Sequence, residues 1–486
     1  MTTNLHAAGA AHRPAGRSGL KQLLLVLCLA QLMVILDITA VNVALPDMAR
    51  GLGITGGDLG WTITSYSLIF GSLLLLGGRA ADLLGRRRMF LAGLAVFVLA
   101  SVAAATAGGA TTFFAARAAQ GLGAAMLSPA ALSILMNTFK DGHQRAHALA
   151  AWGAVGGAGA AIGVLLGGAL TELIGWQAIF LINVPIGLAV AVAARSLIPA
   201  DELHPRLSGL DLPGAALATV SLGAVVFALS QAADVGWSSM QTLTVGGAGL
   251  AGLLCFVAVE LRTRHPLLRI ERLADRGVGG GFAMMLAAAA ALFGTFLLTS
   301  LYLQNVLGTG PLETGLAFLP LAVALAVGVH AGSHVLGHAG VRVPMATGFA
   351  LSALGLLMLS GADVHGSYFS DVLPGMLVAG LGLGMVLVCV SVSVMTGAKD
   401  EETGMLSGLN TTGHEIGGSI GIAVLATIAA GSGVGDAPAA LAQGIGDAFL
   451  AASGIAAIAS IIALIVLPAA ATFLPKLRLA PRVAVH

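Results

Sequence analysis

A short charged segment at residues 78–88 reads Gly-Arg-Ala-Ala-Asp-Leu-Leu-Gly-Arg-Arg-Arg and separates two apolar runs, at 57–78 and 88–108. Each run is long enough for a helix that crosses the roughly 30 Å hydrocarbon core of a bilayer. The runs are continuous and lack the alternating polarity of the roughly ten-residue strands of a membrane barrel. Because a helix satisfies its backbone hydrogen bonds internally, the segment is predicted to be a loop between two transmembrane helices.

The same pattern recurs along the whole chain, whose 486 residues are 57% hydrophobic and 9% charged. A soluble domain carries about a quarter charged residues, so composition excludes a soluble globule. We expect the first apolar run to be retained as a helix, because no small-residue cleavage site follows it. The prediction is an all-α polytopic membrane protein with fourteen spans, at 21–45, 57–78, 88–108, 112–137, 146–170, 177–198, 212–231, 241–260, 278–303, 313–334, 342–361, 370–396, 406–430 and 447–473.

The distribution of basic residues predicts the orientation. Fourteen spans put both termini on one side, and that side then carries 21 of the 23 Lys and Arg residues. Arg50 falls on the other side and Arg117 within a span. Because cytoplasmic loops are rich in Lys and Arg, we expect a multi-pass protein of the cell membrane with both termini in the cytoplasm.

Three glycine-containing motifs occur twice, at offsets of 255, 259 and 254 residues. Both copies start from the cytoplasmic side, so the sequence predicts two parallel six-helix halves and an inserted helix pair whose role it leaves open. The expected division is a tail at 1–20, a half at 21–198, the insert with its loops at 199–277, a half at 278–473 and a tail at 474–486. The paired motifs are Gly85-x-Arg87-x5-Gly93 with Gly340-x-Arg342-x5-Gly348, Gly121-Leu-Gly-x-x-Met126 with Gly380-Leu-Gly-x-x-Met385, and the helix-packing glycines Gly159, Gly163 and Gly167 with Gly413, Gly417 and Gly421.

Four motifs between about residues 20 and 430 resemble those of a known family. Residues 78–88 resemble the signature loop of the major facilitator superfamily. Residues 36–46, Leu-Asp-Ile-Thr-Ala-Val-Asn-Val-Ala-Leu-Pro, are similar to the first-helix signature of its fourteen-spanner drug:proton antiporters, the EmrB/QacA group. Residues 117–129 and 176–187 resemble the motifs of the fourth and sixth helices.

The resemblance implies a major-facilitator fold whose two halves rock to give alternating access to a site near the midplane. It also implies proton-coupled export of hydrophobic or amphipathic drugs or antibiotics from the cytoplasm or inner leaflet. Gly159, Gly163 and Gly167 resemble the antiporter motif of the fifth helix, although Val164 stands where the family usually has proline.

The charged loop is expected to control conformation. Gly78 and Gly85 permit a tight turn, and Asp82 lies near the start of the next helix, where the dipole favours a carboxylate. Arg86 and Arg87 can pair with Asp82 and with phospholipid headgroups. The alternative is an ordinary basic loop that only follows the charge rule.

Asp37 and Arg117 are intramembrane ionisable residues, which are functional candidates by default. At 1.5 Å per residue, Asp37 lies roughly 14 Å and Arg117 roughly 8 Å below the outer ends of their helices, so they can pair. Burial disfavours a charged carboxylate and a nearby arginine favours it. A carboxylate whose arginine partner changes with conformation can therefore take up and release a proton. The alternative is a permanent structural ion pair.

Glu415 is a second intramembrane acid and is expected to couple protons, to bind a cationic substrate, or to serve as a structural carboxylate. The neighbouring His414 titrates near neutral pH and is either functional or a hydrogen-bonded packing residue. We expect Asn42 and Gln120, with His414 and Glu415, to line the substrate cavity.

The sequence indicates no cofactor, no metal and no enzymatic constellation. It contains no GxxxxGK[ST] loop and no soluble segment long enough for an ATPase domain, so we expect a proton gradient as the energy source and no ATPase subunit. The expected partners are a small-molecule substrate, protons and membrane lipids, without nucleic acid. Two alternatives stay open: a dedicated exporter of one metabolite, and a membrane receptor or scaffold that does not transport.

Overall fold

The computed structural model describes residues 17–139, 142–199, 211–263, 266–361, 363–396, 403–431 and 438–479. All regular structure within these ranges is helical. Thirteen of the described helices are long and apolar enough to cross a membrane, and a further one, Gly142–Leu173, has the length, with Ala161–Leu173 as a shorter apolar part. The chain is therefore a polytopic helical membrane protein with about the predicted number of spans.

The long helices are labelled in chain order. The first six are α1 (Arg17–Leu52), α2 (Trp61–Leu84), α3 (Arg86–Ala105), α4 (Ala110–Thr138), α5 (Gly142–Leu173) and α6 (Gln177–Leu197). The inserted pair is α7 (Leu212–Val235) and α8 (Met240–Glu260). The last six are α9 (Arg276–Val306), α10 (Pro311–Ala339), α11 (Arg342–Leu359), α12 (Tyr368–Met395), α13 (Thr403–Gly431) and α14 (Pro438–Val466).

Several predicted boundaries are wrong. The last span begins at Pro438 rather than 447, so Asp447 lies within α14, and it ends at Val466 because Pro468 follows. Proline removes a backbone donor and disfavours the helical conformation of the preceding residue. The first span does not end before Pro46 but continues to Leu52. A proline costs a helix one hydrogen bond, which transmembrane helices tolerate.

The two sets of six helices pack in the same way. In the first set α1 lies against α5 and α6, and α4 lies against α2 and α3. In the second set α9 lies against α13 and α14, and α12 lies against α10 and α11. The sequence repeat is therefore a structural repeat of two pseudo-symmetric halves.

Glycines from the repeated motifs lie at equivalent helix contacts. On α5, Gly167 faces Ala40 of α1, and on α13, Gly421 faces Ala290 of α9, each so closely that a Cβ atom would fall within 2.7 Å of a neighbouring Cα. Small residues let membrane helices approach without a hydrophobic driving force. Gly159 and Gly163 also contact α1, and Gly413 and Gly417 contact α9.

The basic motifs of the two halves also have equivalent contacts. Arg87, at the start of α3, donates a 2.7 Å hydrogen bond to the carbonyl of Arg195 near the end of α6. Arg342, at the start of α11, donates two hydrogen bonds, of 2.8 and 2.5 Å, to the carbonyl of Leu467 just after α14. In each half an arginine thus ties the third helix to the end of the sixth.

The inserted pair lies over one seam between the halves. Helix α7 packs against both α2 and α13, and buries Val226 together with Leu68 and Ala423. Thr427 on α13 donates a 3.0 Å hydrogen bond to the carbonyl of Leu229. Helix α8 packs on α7 through Gly249. The insert therefore contacts both halves rather than extending one of them.

We call the end of the bundle that carries the basic loops the basic end, and the other end the opposite end. Hydrogen bonds join the two halves at the opposite end. Ser300 of α9 donates a 2.6 Å hydrogen bond to the carbonyl of Asn42 on α1, and Gln304 donates one of 2.7 Å to the carbonyl of Val43. The carboxylate of Glu172 at the end of α5 accepts a 3.0 Å hydrogen bond from the backbone N–H of Leu312 in α10. These bonds close the opposite end.

Candidate proton-coupling site

Asp37 and Arg117 form a fully buried ion pair between α1 and α4. The guanidinium Nη1 of Arg117 donates to the Oδ2 atom of Asp37, and neither side chain has any solvent-exposed surface. The sequence placed each residue within the membrane, and the structure brings them into direct contact. Burial of an unpaired charge is costly. Each of the two side chains can therefore remain charged in this position because the other is charged too.

Amide and hydroxyl groups surround the Asp37 carboxylate. Its Oδ1 atom accepts hydrogen bonds from Nε2 of Gln120, at 2.9 Å, and from Nδ2 of Asn183, at 3.0 Å. Both amides also donate to the hydroxyl of Ser101, at 2.8 and 3.2 Å. Amides from α4 and α6 thus converge on the carboxylate of α1, and the Ser101 hydroxyl of α3 holds both amides in place.

The Arg117 guanidinium lies between aromatic rings. Its central carbon is 4.6 Å from the ring centre of Tyr66 and 5.6 Å from that of Phe180, distances typical of cation–π contacts. Its Nε atom donates a 3.2 Å hydrogen bond to the carbonyl of Thr62, and Nη1 also reaches Oε1 of Gln120 at 2.8 Å. The Nη2 atom is buried without a partner among the described residues. The arginine can therefore donate a further hydrogen bond to a group that moves within reach.

Sequence reasoning missed three members of this network. Ser101 and Asn183 contact the two amides, and Tyr66 lies beneath the guanidinium. Asn183 belongs to the sixth-helix motif, and all three are polar residues within apolar helices. That polarity was the available signal, but no pattern in the sequence indicated which helix each would face.

Glu415 lies on α13 and contacts its neighbour in sequence. Its Oε1 atom is 3.2 Å from Nδ1 of His414, and the histidine ring packs edge-on against Phe293 of α9, with ring centres 5.2 Å apart. Glu415 is 3% exposed, and in the described part of the chain its Oε2 atom has no partner. His414 keeps 29% of its side chain exposed, which makes it the more accessible of the two.

The segment around Glu415 is fixed against α2 of the other half. Thr412 donates a 2.9 Å hydrogen bond to the carbonyl of Gly71, and a Cβ atom on Gly71 would meet the Cβ atom of Glu415 at 2.7 Å. The Ser419 hydroxyl bonds to the carbonyl of Glu415 at 2.9 Å. Glu415 therefore lies directly at the interface between the halves.

The other two cavity candidates are Gln120 and Asn42, and both are buried. Gln120 is fully buried within the Asp37 network, and Asn42 is 3% exposed, with its amide donating at 3.1 Å to the carbonyl of Ile38. Their role in substrate binding stays a prediction.

The charged segment turns at Gly85 alone. The predicted position of Asp82 near the start of the next helix is wrong, because α2 continues through Gly78 to Leu84 and places Asp82 in its last turn. Gly85 has φ of 109°, in the region that favours glycine, and Arg86 pairs with Asp82 at 3.1 Å.

Near the end of α10, Nδ1 of His338 lies 3.1 Å from the carbonyl of His334. Within the part of the chain that the structure describes, no group of three or more His, Cys, Asp or Glu residues could hold a metal ion.

Two packed six-helix halves with a buried ion pair beside their interface define a membrane transport protein. The comparison with known families agrees, since residues 27–422 match the Major Facilitator Superfamily. The chain belongs to this superfamily.

Several curated relatives match over most of the chain. The cephamycin export protein CmcT of Amycolatopsis lactamdurans is 38% identical over 480 residues, 97% of this chain and 98% of the relative. The puromycin resistance protein pur8 of Streptomyces alboniger is 36% identical, covering 87% and 85% of the two chains. The multidrug resistance protein Stp of Mycobacterium tuberculosis is 34% identical, covering 82% and 74%.

The fold is also similar to that of a solved transporter. A bacterial homologue of the human lysosomal transporter Spinster, solved in an inward-facing and unoccupied conformation, superposes with a TM-score of 0.63. The match covers 95% of this chain and 99% of the other at 16% sequence identity, and it establishes the shared fold.

Proposed function

We propose that this chain is a proton-coupled antiporter of the fourteen-spanner drug:proton group that exports hydrophobic or amphipathic small molecules, antibiotics among them. The names of its relatives, for cephamycin export, puromycin resistance and multidrug resistance, support this substrate class. The charge distribution supports a location in the cell membrane with the basic end and both termini in the cytoplasm. Substrate would enter from the cytoplasm or the inner leaflet.

The buried Asp37–Arg117 pair is the observation that carries the proposal. A buried ion pair contributes little net stability compared with apolar side chains of similar size, so a passive helix bundle gains little from one. Here the pair joins α1 to α4, and α1 also contacts α9 of the other half. If the motion of the halves shifts α1 relative to α4 through this contact, the distance between acid and arginine changes, and with it the affinity of the carboxylate for a proton.

The surrounding residues suit both charge states of the carboxylate. When Asp37 is ionised, the guanidinium and two amide groups donate to it. When it is protonated, Gln120 and Asn183 can remain as neutral partners while Arg117 is released toward the aromatic rings of Tyr66 and Phe180. The site can therefore lose its ion pair without leaving the acid unsatisfied.

The hydrogen bonds at the opposite end define the access state. With the basic end in the cytoplasm, the bonds from Ser300, Gln304 and Leu312 to the N-terminal half close the outer side. Export requires these bonds to break so that the substrate can leave and a proton can enter. The inward movement of the proton then supplies the free energy for the outward movement of the substrate.

The proposed transporter uses the proton gradient and no cofactor, and it needs no ATPase subunit. Its partners are the substrate, protons and membrane lipids, with no role for nucleic acid. The basic residues of the loop at 78–88, including Arg86 and Arg87, are placed to meet anionic lipid headgroups.

A dedicated exporter of one compound is the second candidate function. It is favoured by the relative named for cephamycin export, which aligns over nearly the whole length of both chains. A panel of chemically distinct compounds separates the two candidates. A broad exporter moves puromycin as well as cephamycins, whereas a dedicated exporter moves one class.

The decisive measurement is flux of puromycin and a cephamycin in proteoliposomes under an imposed pH gradient. We expect gradient-driven flux in the natural protein and, in Asp37→Asn, a rate equal to that without a gradient. Asp47→Asn, on the same helix but at the opposite end, is the matched control and should transport normally. Unimpaired transport by Asp37→Asn would show the coupling assignment to be wrong. If no compound moves and none alters proton uptake, the receptor or scaffold alternative is supported.

A further inference from the structure

Helix α2 lies between the two intramembrane acids. Tyr66 on this helix is fully buried, and its ring lies under the guanidinium that binds Asp37. The next residue, Ser67, contacts Ser419 at 2.7 Å, one turn from Glu415 on α13. Five residues beyond Tyr66, Gly71 of α2 contacts Glu415 directly. Tyr66 therefore lies on the helix that contacts both the Arg117 partner of Asp37 and Glu415.

Three buried polar atoms in this region lack hydrogen-bond partners within the described ranges: Nη2 of Arg117, the hydroxyl of Tyr66 and Oε2 of Glu415. Each belongs to a different helix, α4, α2 and α13. Buried polar groups in native proteins are nearly always paired, and each exception calls for an explanation. An arginine donor, a hydroxyl that can donate or accept, and a carboxyl oxygen are chemically complementary.

The charges of the region do not balance unless a proton is bound. Asp37 on α1 and Glu415 on α13 can each carry a negative charge, and Arg117 on α4 carries one positive charge. His414 beside Glu415 and the phenol of Tyr66 beside Arg117 are also titratable groups of this region. An isolated carboxylate in an apolar environment takes up a proton rather than remain charged. With Asp37 holding the arginine and His414 neutral, Glu415 is the acid left without a cation.

We propose that Asp37, Arg117, Tyr66 and Glu415 form a single protonation unit across the interface between the halves, in which Tyr66 lets the two acids share one cation. The unit holds one proton in the described conformation, on Oε2 of Glu415. When Asp37 takes up a proton, Arg117 is released from it. The positive charge of Arg117 then stabilises ionised Glu415 across Tyr66, and Glu415 gives up its proton. Tyr66 is a positioning residue in this scheme, and the hydroxyl is the part that connects the two sides.

This inference rests on the proposed proton coupling and adds that the two acids titrate as one coupled system. It is tested by infrared titration of the protonated carboxyl band in the purified full-length protein, assigned by its absence in Glu415→Gln. We expect Asp37→Asn to move the midpoint of the Glu415 band to lower pH by about one unit or more, since interacting sites couple by at least that much. The sign follows because Asp37→Asn leaves Arg117 free to stabilise ionised Glu415.

Removal of the Tyr66 hydroxyl should abolish that coupling. In Tyr66→Phe the ring still supports Arg117, and adding Asp37→Asn should then leave the Glu415 midpoint unchanged. Ser65→Ala removes a neighbouring buried hydroxyl that bonds to the carbonyl of Trp61 within α2, and it should retain the full shift. The inference is overturned if no Glu415 band is present, if Asp37→Asn does not move it, or if Tyr66→Phe preserves the shift.

The titration and the transport assay fail independently. Gradient-driven flux without a coupled titration would overturn this inference and leave the proposed function intact. A coupled titration in a protein that moves no substrate would overturn the proposed function and leave the protonation unit in place.

Discussion

The hydroxyl oxygens of Ser67 and Ser419 lie 2.7 Å apart and join α2 of the N-terminal half to α13 of the C-terminal half. Both hydroxyls are buried, and Thr412 adds a second hydrogen bond between the same helices, to the carbonyl of Gly71 at 2.9 Å. Transport by rocking of the halves requires α2 and α13 to move relative to each other. This contact is therefore a direct place to test the motion.

A disulfide between α2 and α13 should stop transport. Ser67→Cys with Ser419→Cys, in a chain whose three native cysteines are replaced, places two thiols where the hydroxyls now touch. We expect oxidation to form the bond and to reduce gradient-driven flux to background, with recovery on reduction. Each single cysteine variant is the control and should transport under oxidising conditions. Normal flux through the cross-linked protein would show that these helices need not separate.

Loss of Arg117 should destabilise the protein strongly. Arg117→Ala leaves the buried carboxylate of Asp37 without its cation, and breaking a buried pair in this way costs about 3–5 kcal/mol. The free energy of unfolding in detergent micelles measures the effect. The double variant with Asp37→Asn should be less destabilised than Arg117→Ala alone, because the orphaned charge is gone. Equal losses in the single and double variants would mean that the charge is not the source.

Close approach of α5 to α1 should make Gly167 intolerant of a methyl group. A Cβ atom there would lie 2.7 Å from Cα and 2.8 Å from the carbonyl oxygen of Ala40, and backbone atoms cannot rotate away. Overpacking of this kind costs roughly 1–3 kcal/mol, which unfolding measurements on Gly167→Ala would detect.

Gly153 on the same helix provides the matched control. A Cβ atom at this position would meet no atom of another described helix within 4 Å. Gly153→Ala should be neutral or stabilising by about 0.5–1 kcal/mol, since alanine is the better helix former. If both substitutions have the same effect, helix propensity rather than packing decides the outcome.

The arginine that closes the C-terminal half should contribute measurably to stability. Arg342→Met keeps a long apolar stem but loses both hydrogen bonds to the carbonyl of Leu467. Hydrogen bonds to charged groups are worth about 1.5–3 kcal/mol, so the free energy of unfolding should fall by that order. Val343→Ala, at a half-exposed neighbouring position, should change it little. A negligible effect of Arg342→Met would show that water replaces the contact.

The helices and the repeat could be predicted from the sequence because a segment that crosses the lipid must itself be apolar. Apolar runs must be long enough to cross the bilayer, and basic loops mark one side. The ends were less predictable: the break at Pro46 and the charge at Asp447 suggested helix ends, yet both lie within helices. A single proline or an exposed carboxylate costs less than the backbone hydrogen bonds of a continued helix.

The candidate site was predictable only in part. Asp37, Arg117 and Glu415 stood out because charged residues in apolar helices are rare, and that is a property of each helix taken alone. Their partners Ser101, Asn183 and Tyr66 carry ordinary polarity and gave no comparable signal. Which residues they contact depends on the rotation and crossing of helices that are up to 146 residues apart in the chain.

The sequence by itself determined the membrane-spanning architecture, the two-fold repeat and the identity of the buried acids, since each follows from local composition and spacing. Only the tertiary structure decided that Asp37 pairs with Arg117, that α7 covers the seam between α2 and α13, and that the ring of Tyr66 lies against the Arg117 guanidinium. In lipid, the choice among neighbouring helices is made by close packing and interhelical hydrogen bonds. Those terms depend on pairs of surfaces brought together in space, and no single segment of the chain contains them.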